Sequence, residues 1–506
     1  CQKIERDTYF GQPQDIEWCL KGSELFILQA RPIAAFSGMR KAGIFSVFDN
    51  SNVVESYSGV PSPLTYSFAS ASFRETFRGV FVRIGMSRKR LEELDSVFRN
   101  MLVYVHGHMY YNLLNWYRYF QEVPMGGDNI REFDQLIGIA PDNEVAKPAD
   151  HPSPWLRFQR RYWGARLKFK IRTIHRVARD FENHFYAKNG AYVNELFIDQ
   201  TNPELLRIYR HVFQHASPYW DGEIVNFIGG QHVFAALAKR LKELGFPDVA
   251  SLENDLIGGD GGIASMRPTR EMLALSDLIR ENALWRDLFL ASPPALLQKT
   301  ILADKVPSFE PVRVRIEKFI IDYGCRCMNE LKLEEPTFWE DPTFLFSTLS
   351  SYVKNRPGAL DTQLAHQIAA KKKAEQLVYA KSGWLGRLPL QREIQRMRKH
   401  VYFREELRLI RGKYWGIVRR LFRAVGRNFE TANLLNSWED IFLLKVDEIA
   451  GLIEGRSPDF GYVKELVELR RRQRTENLKR PMPSRIFNYG EVCSGNFSIG
   501  TWNSST

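Results

Sequence analysis

From about residue 68 onward the chain carries one dominant signal: long segments whose apolar residues recur three or four apart, interrupted by clusters of Pro, Gly and Asn. That period suits helices that bury one face, and it makes the fold mainly α. Interruptions near 122–155, 186–203, 255–270, 334–343, 354–361 and 455–460 mark expected helix boundaries. In the stretch from Trp155 to Phe181 the residues Trp163, Leu167, Ile171, Ile174, Ala178 and Phe181 step by 4, 4, 3, 4 and 3, so one helix with a core-facing stripe is expected. Between Arg157 and Arg179 lie nine Lys or Arg and no acid. Such a helix could meet a membrane surface or nucleic acid, but the reading adopted is a solvated basic face, because a run of charge is nonspecific.

Composition narrows the class. With 44% hydrophobic and 26% charged residues, a wholly disordered or collagen-like chain is excluded, and 506 residues leave room for about three domains. No apolar run approaches the roughly 18 residues of a spanning helix. The five cysteines, Cys1, Cys19, Cys325, Cys327 and Cys493, lack paired CxxC spacing, so neutral thiols and a cytoplasmic location are expected. The chain opens on Cys1 without the layout of a signal peptide, and a piece of a longer protein is expected. The net charge is +12, yet Lys371–Arg427 alone holds 17 Lys or Arg against four Glu. This block points to an anionic partner or to a solvent-facing pair of long helices.

The first 35 residues read differently. QDIEWCLKGSELFILQARPI, from Gln14, is two apolar-rich strands joined by a Gly-Ser turn, a β-hairpin. Asp15 and Glu17 share one side of the first strand, as do Gln29 and Arg31 on the second. A two-residue loop would set Glu17 opposite Leu28, whereas a three-residue loop, Gly22-Ser23-Glu24, sets Glu17 opposite Gln29. In that register a carboxylate and an amide oxygen could share a hard cation, with a guanidinium beyond them for a phosphoryl group. A salt-bridged edge hairpin fits the same spacing.

This segment resembles the closing part of the ATP-grasp nucleotide domain in the family of phosphoenolpyruvate synthase, pyruvate phosphate dikinase and rifampicin phosphotransferase. The resemblance implies Mg²⁺ and ATP as cofactors, with Glu17 and Gln29 as metal or nucleotide contacts and Arg31 as the catalytic, phosphoryl-binding arginine. NVVESYSGVPSPLTYSF, Asn52 to Phe68, resembles the opening of the helical middle domain, where Pro61 and Pro63 fix an extended turn before a helix. YGCRCMNELKLEEPTFWEDP, from Tyr323, resembles a YGHR segment followed by an acid and an EDP turn, which implies Arg326 and Glu330 as substrate contacts. Cys325 stands where the family has His, so a proton-transfer role for that His does not carry over. Arg404 and Arg408, an RExxR pattern, lie one turn apart on a helix and could grip phosphate beside the acceptor, or be surface arginines. DIFLLKVDEI, from Asp440, and the Arg-rich stretch around Arg470 resemble the end of the middle domain.

The expected organisation is the end of an ATP-grasp domain over 1–35, a helical acceptor-substrate or scaffold domain over 36–490, and a tail over 491–506 leading toward a phosphohistidine domain. In the family ATP donates its β-phosphate to a mobile histidine that passes it on. That histidine lies in a Gly-rich Thr/Ser-His setting, which none of the ten histidines here has. The expected function is therefore part of a dikinase-type phosphotransferase, inactive alone, with nucleotide and phosphohistidine domains as partners in cis or in trans and a small-molecule acceptor. Nucleic acid and membrane are not expected partners. A noncatalytic helical binding module with a basic surface is the alternative. Three lesser features read as ordinary structure: His106 and His108 as a polar strand pair lacking a third metal ligand, Gly258–Gly262 as an inter-helix loop without P-loop context, and Phe68, Tyr110, Tyr111, Trp116, Tyr117 and Tyr119 as core aromatics that could also line an apolar cavity.

Overall fold

A computed structural model describes residues 14–22, 24–32, 45–122, 130, 133–134, 137–138, 150–258, 267–325, 329–355, 359–456 and 461–489. These are mainly helical, with two small antiparallel sheets. The chain divides into two units: 1–61 with 96–152 and 472–506, and 62–95 with 153–471.

In the first unit, β1 (Gln14–Lys21) and β2 (Glu24–Pro32) form the expected hairpin. Glu17 lies opposite Gln29 and Asp15 opposite Arg31, but not through the expected loop. Lys21 pairs with Glu24, which leaves the two-residue connection Gly22-Ser23, and the odd residue is absorbed by a bulge at Leu28 between the Glu17–Gln29 and Trp18–Ile27 pairs. A bulge does what a longer loop would have done. The second sheet runs β4 (Leu102–Val105), β5 (His108–Asn112), β3 (Phe45–Asp49), β6 (Arg485–Tyr489), all antiparallel. Phe48, Val105, Tyr110 and Ile486 form its core, and the buried Asp49 carboxylate is held by the Arg485 guanidinium at 2.8 Å. His106 is not on a strand: with Gly107 it makes the two-residue turn between β4 and β5, both at positive φ (45° and 76°), and its ring meets Arg480. The two histidines therefore do not present one strand face, and no group of three metal-ligating side chains exists among the described residues.

The second unit is helical. Ser62, fully buried, caps α1 (Pro63–Ile84), its hydroxyl accepting the Thr65 N–H at 3.1 Å, with Pro63 preset for the first turn. The expected helix over 155–181 is two: α2 (Pro154–Arg172) and α3 (Ile174–Asn189), parted at Thr173, where φ and ψ are −105° and 28°. The Thr173 hydroxyl bonds back to the Phe169 carbonyl there, a local competitor of the helical ladder. The predicted stripe is nonetheless buried at all six positions. α4 (Asn202–Ala216), α5 (Asp221–Glu243) and α6 (Val249–Ile257) follow.

Next come α7 (Arg267–Glu281), α8 (Glu310–Tyr323) and α9 (Thr343–Lys354), which share a core built on Leu275, Ile279, Val312, Ile316, Phe319, Phe346 and Leu349. The last long element, α10 (Ala359–Thr431), carries the basic block. It is two limbs joined at Gly383, whose φ of 66° and ψ of 176° are open only to glycine. Both limbs contribute to one core, Ala374 and Val378 from the first and Leu390, Ile394 and Met397 from the second, packed on Leu237, Leu241, Val249 and Leu256. A helix pair is what one reading of the basic block expected. Among the described residues no helix is long and apolar enough to cross a membrane.

Candidate functional site

The second limb of α10 organises the site. Arg404, Arg408, Gly412, Gly416 and Arg420 stand four apart, so they follow one ridge of the helix. Arg404 Nε lies 3.2 Å, and Arg408 Nη1 3.8 Å, from Glu405 Oε1, so both guanidinia lean on one carboxylate that neutralises a single charge. Their side chains are about half exposed (57% and 44%), open to a ligand, whereas Glu405 is buried. The two glycines are gaps into which another segment fits. A Cβ at Gly412 would lie 3.7 Å from both Cys325 Sγ and Glu330 Oε2, and one at Gly416 would lie 3.4 Å from Cys325 Cβ and 3.5 Å from Arg420 Nη1. Glu330 thus sits one helical turn beyond Arg408. Arg326 lies outside the described residues.

The segment that brings Cys325 and Glu330 here is fixed from two sides. From α1, the Ser62 N–H (2.9 Å), the Ser62 hydroxyl (2.7 Å) and the Thr65 hydroxyl (2.6 Å) all donate to the Glu334 carboxylate, while the Leu333 N–H donates to Thr65 Oγ1 at 2.8 Å. From α10, the buried Arg419 guanidinium donates to the carbonyls of Glu330 (3.0 Å), Lys332 (2.7 Å) and Leu333 (3.3 Å). The two sequence segments around Pro61 and Tyr323 meet at this point.

Sequence reasoning missed the electrostatics. Arg419, Arg420 and Arg423 are buried, not solvated. Arg420 donates to the carbonyls of Val193 (2.6 Å), Glu195 (2.9 Å) and Tyr192 (3.3 Å) and lies over the Trp339 ring; Arg423 lies over Trp438 and Phe442. Burial pushes Arg420 down to about 10 and lowers Arg423 as well, with Glu340 opposing. Carbonyls around Arg420 and ring faces beside both do not cancel charge, and the buried Arg423 Nε has no hydrogen-bond partner among the described residues. Lys413 is also desolvated, yet the Tyr186 phenol, 3.0 Å from its Nζ, and the nearby Cys325 hold its pKa above the ordinary lysine value. The missed signal was IVRRLFRAVG, arginines embedded in a run apolar on every side, which marks a buried helix.

The hairpin residues belong to the first unit. Glu17 and Gln29 are opposite and exposed, one carboxylate and one amide oxygen side by side. Such a hard-oxygen pair fits Mg²⁺, which takes one or two carboxylates and completes its shell with water and nucleotide phosphates. The aromatics read mainly as core are core but for the half-buried Tyr111: Phe68 packs on Tyr414 and Trp415 in the second unit, and Tyr110, Trp116, Tyr117 and Tyr119 are buried in the first.

Fold and site together define a helical domain with a cationic, carboxylate-bearing centre. Residues 224–405 match the family described as the rifampicin phosphotransferase fourth domain. The rifampicin phosphotransferase of Bacillus cereus is 20% identical over 97% of this chain and 54% of its own length, and the prodigiosin synthesizing transferase PigC of Serratia marcescens is 20% identical over 95% and 55%. A rifampicin phosphotransferase of Streptomyces sviceus is 26% identical over 32% of the chain. The chain is thus similar to rifampicin phosphotransferase and PigC over nearly its whole length, and to the rifampicin phosphotransferase fourth domain over 224–405. The chain spans about half the length of the relatives matching nearly all of it.

Proposed function

We propose that this chain holds the small-molecule acceptor of an ATP-dependent, dikinase-type phosphotransferase and receives the phosphoryl group from a phosphohistidine on a further domain, in cis or in trans. The observation that carries the reading is the α10 ridge, with Arg404 and Arg408 exposed, Glu330 against Gly412 one turn beyond Arg408, and buried arginines further along the helix. Phosphoryl transfer asks a protein for positioning and charge stabilisation more than for covalent chemistry. Arg404 and Arg408 supply two donors for phosphoryl oxygens, and the weakly compensated Arg420 and Arg423 add positive potential. As the acceptor oxygen bonds to phosphorus, the phosphorus–nitrogen bond breaks and its electron pair returns to the imidazole. The acceptor's hydroxyl proton passes to Glu330, the carboxylate whose Oε2 lies against Gly412 on this ridge. ATP would supply the phosphoryl group and Mg²⁺ would offset its charge; Glu17 and Gln29 would hold the cation and Arg31 a phosphoryl oxygen.

The test places Arg404→Ala with Arg408→Ala in an enzyme containing the nucleotide and phosphohistidine domains and follows label from ATP. Acceptor labelling should fall roughly a hundredfold while phosphohistidine forms normally. Undiminished acceptor labelling would remove both arginines from the mechanism.

A further inference from the structure

Helix α2 buries one apolar face and exposes another. Trp163, Leu167 and Ile171 pack into the unit, while Trp155 (65% exposed), Phe158 (60%), Tyr162 (50%) and Phe169 (59%) face water. At about 100° per residue the four exposed aromatics fall within an arc of about 60°. Arg166 and Lys170 border that arc on one side, and Arg172, Arg161, Lys168 and Arg157 on the other. The Trp155 and Phe158 rings stack at 5.5 Å, and Arg166 donates to the Tyr162 hydroxyl at 2.9 Å, so the stripe is ordered by its own contacts. Among the described residues no ion pair reaches Arg157, Arg161, Lys168 or Arg172, and α2 itself contains no acid.

We propose that α2 is an interfacial helix that lays this stripe on an anionic lipid surface. An aromatic ridge with Arg166 and Lys170 along one edge and basic residues free of ion pairs along the other is complementary to the boundary between acyl chains and acidic headgroups, where rings and cations each find their preferred depth. A protein partner or single-stranded nucleic acid could use some of the same groups, but the alignment of the rings along the helix axis, with basic residues on both sides of it, favours a planar anionic surface. A run of charge alone is nonspecific; the exposed rings give this face its specificity. The inference is independent of the acceptor chemistry.

The experiment sediments the chain with phosphatidylcholine vesicles and with vesicles also containing phosphatidylglycerol. Binding is expected to the anionic vesicles alone and to weaken with salt. Phe158→Ser with Phe169→Ser should lower partitioning more than about tenfold through lost apolar contact, and Arg157→Glu with Arg161→Glu should do so through charge. All four sites are exposed, so circular dichroism should be unchanged in both variants. No binding to anionic vesicles, or binding that both variants retain, would overturn the proposal. Binding of single-stranded RNA, or stripe-dependent dimerisation, without vesicle binding would overturn it too.

Discussion

Replacing Glu334 by Ala should cost more than any exposed charge in this chain. Its carboxylate accepts from the Ser62 N–H, the Ser62 hydroxyl and the Thr65 hydroxyl, and both donor residues have no solvent exposure. Hydrogen bonds to a charged group contribute about 1.5–3 kcal/mol each, so simple addition over three gives roughly 4.5–9 kcal/mol. The real loss is smaller, because the three act as one network and water can enter the vacated volume. We expect about 3–5 kcal/mol for Glu334→Ala, and about 1–2 kcal/mol for Glu334→Gln, which keeps one acceptor oxygen. Urea denaturation followed by circular dichroism measures both. A cycle with Thr65→Val should add a coupling of about 1–2 kcal/mol. If Glu334→Ala costs under about 1 kcal/mol, or no more than Glu334→Gln, the claim that this carboxylate pins residues 329–340 to α1 is wrong.

Three further outcomes rest on contacts elsewhere in the second unit. His400 is buried with Nδ1 2.8 Å from Asn226 Oδ1, and burial pushes its pKa down to about 4 from the ordinary 6.5. The unfolded chain then takes up the proton first, so stability present above pH 6.5 is lost as pH falls toward 4, by about 3 kcal/mol in all, and His400→Gln should flatten that part of a urea-stability profile. Gly229→Ala would drive a Cβ to 2.6 Å from His400 Cε1 and 2.8 Å from Ile171 Cγ2, at a cost of about 2 kcal/mol by denaturation. Gly412→Ala meets nothing closer than 3.7 Å and should change stability by less than about 1 kcal/mol, while Gly412→Leu should displace Glu330 and reduce acceptor phosphorylation.

Much of the helical architecture was legible because its signal is local. The stripe from Trp163 to Phe181 has the helical period, and every member is buried; only the break at Thr173, set by one hydroxyl, escaped it. The hairpin register was reached for the wrong reason, since a bulge at Leu28 leaves no mark that differs from an ordinary leucine. The four-stranded sheet was missed because Phe45–Asp49 pairs with Arg485–Tyr489 from the far end of the chain, and five-residue strands carry little periodicity. Arg404 and Arg408 were legible as one helical face, but Arg419, Arg420 and Arg423 were counted with the solvated charges. Burial of an arginine depends on which carbonyls fold against it, and residues 192–195 and 330–333 supply those from elsewhere in the chain. The exposed ridge of α2 was hidden by the assumption that a helix has one apolar face.

The most direct measurement of the acceptor-site assignment is single-turnover discharge. An isolated, labelled phosphohistidine domain of this family is mixed with the chain and a hydroxyl-bearing acceptor, and loss of label from histidine is timed. The account predicts discharge into the acceptor that requires the chain and slows roughly a hundredfold in Glu330→Gln. Discharge at the same rate without the chain, or at an unchanged rate in Glu330→Gln, would contradict it.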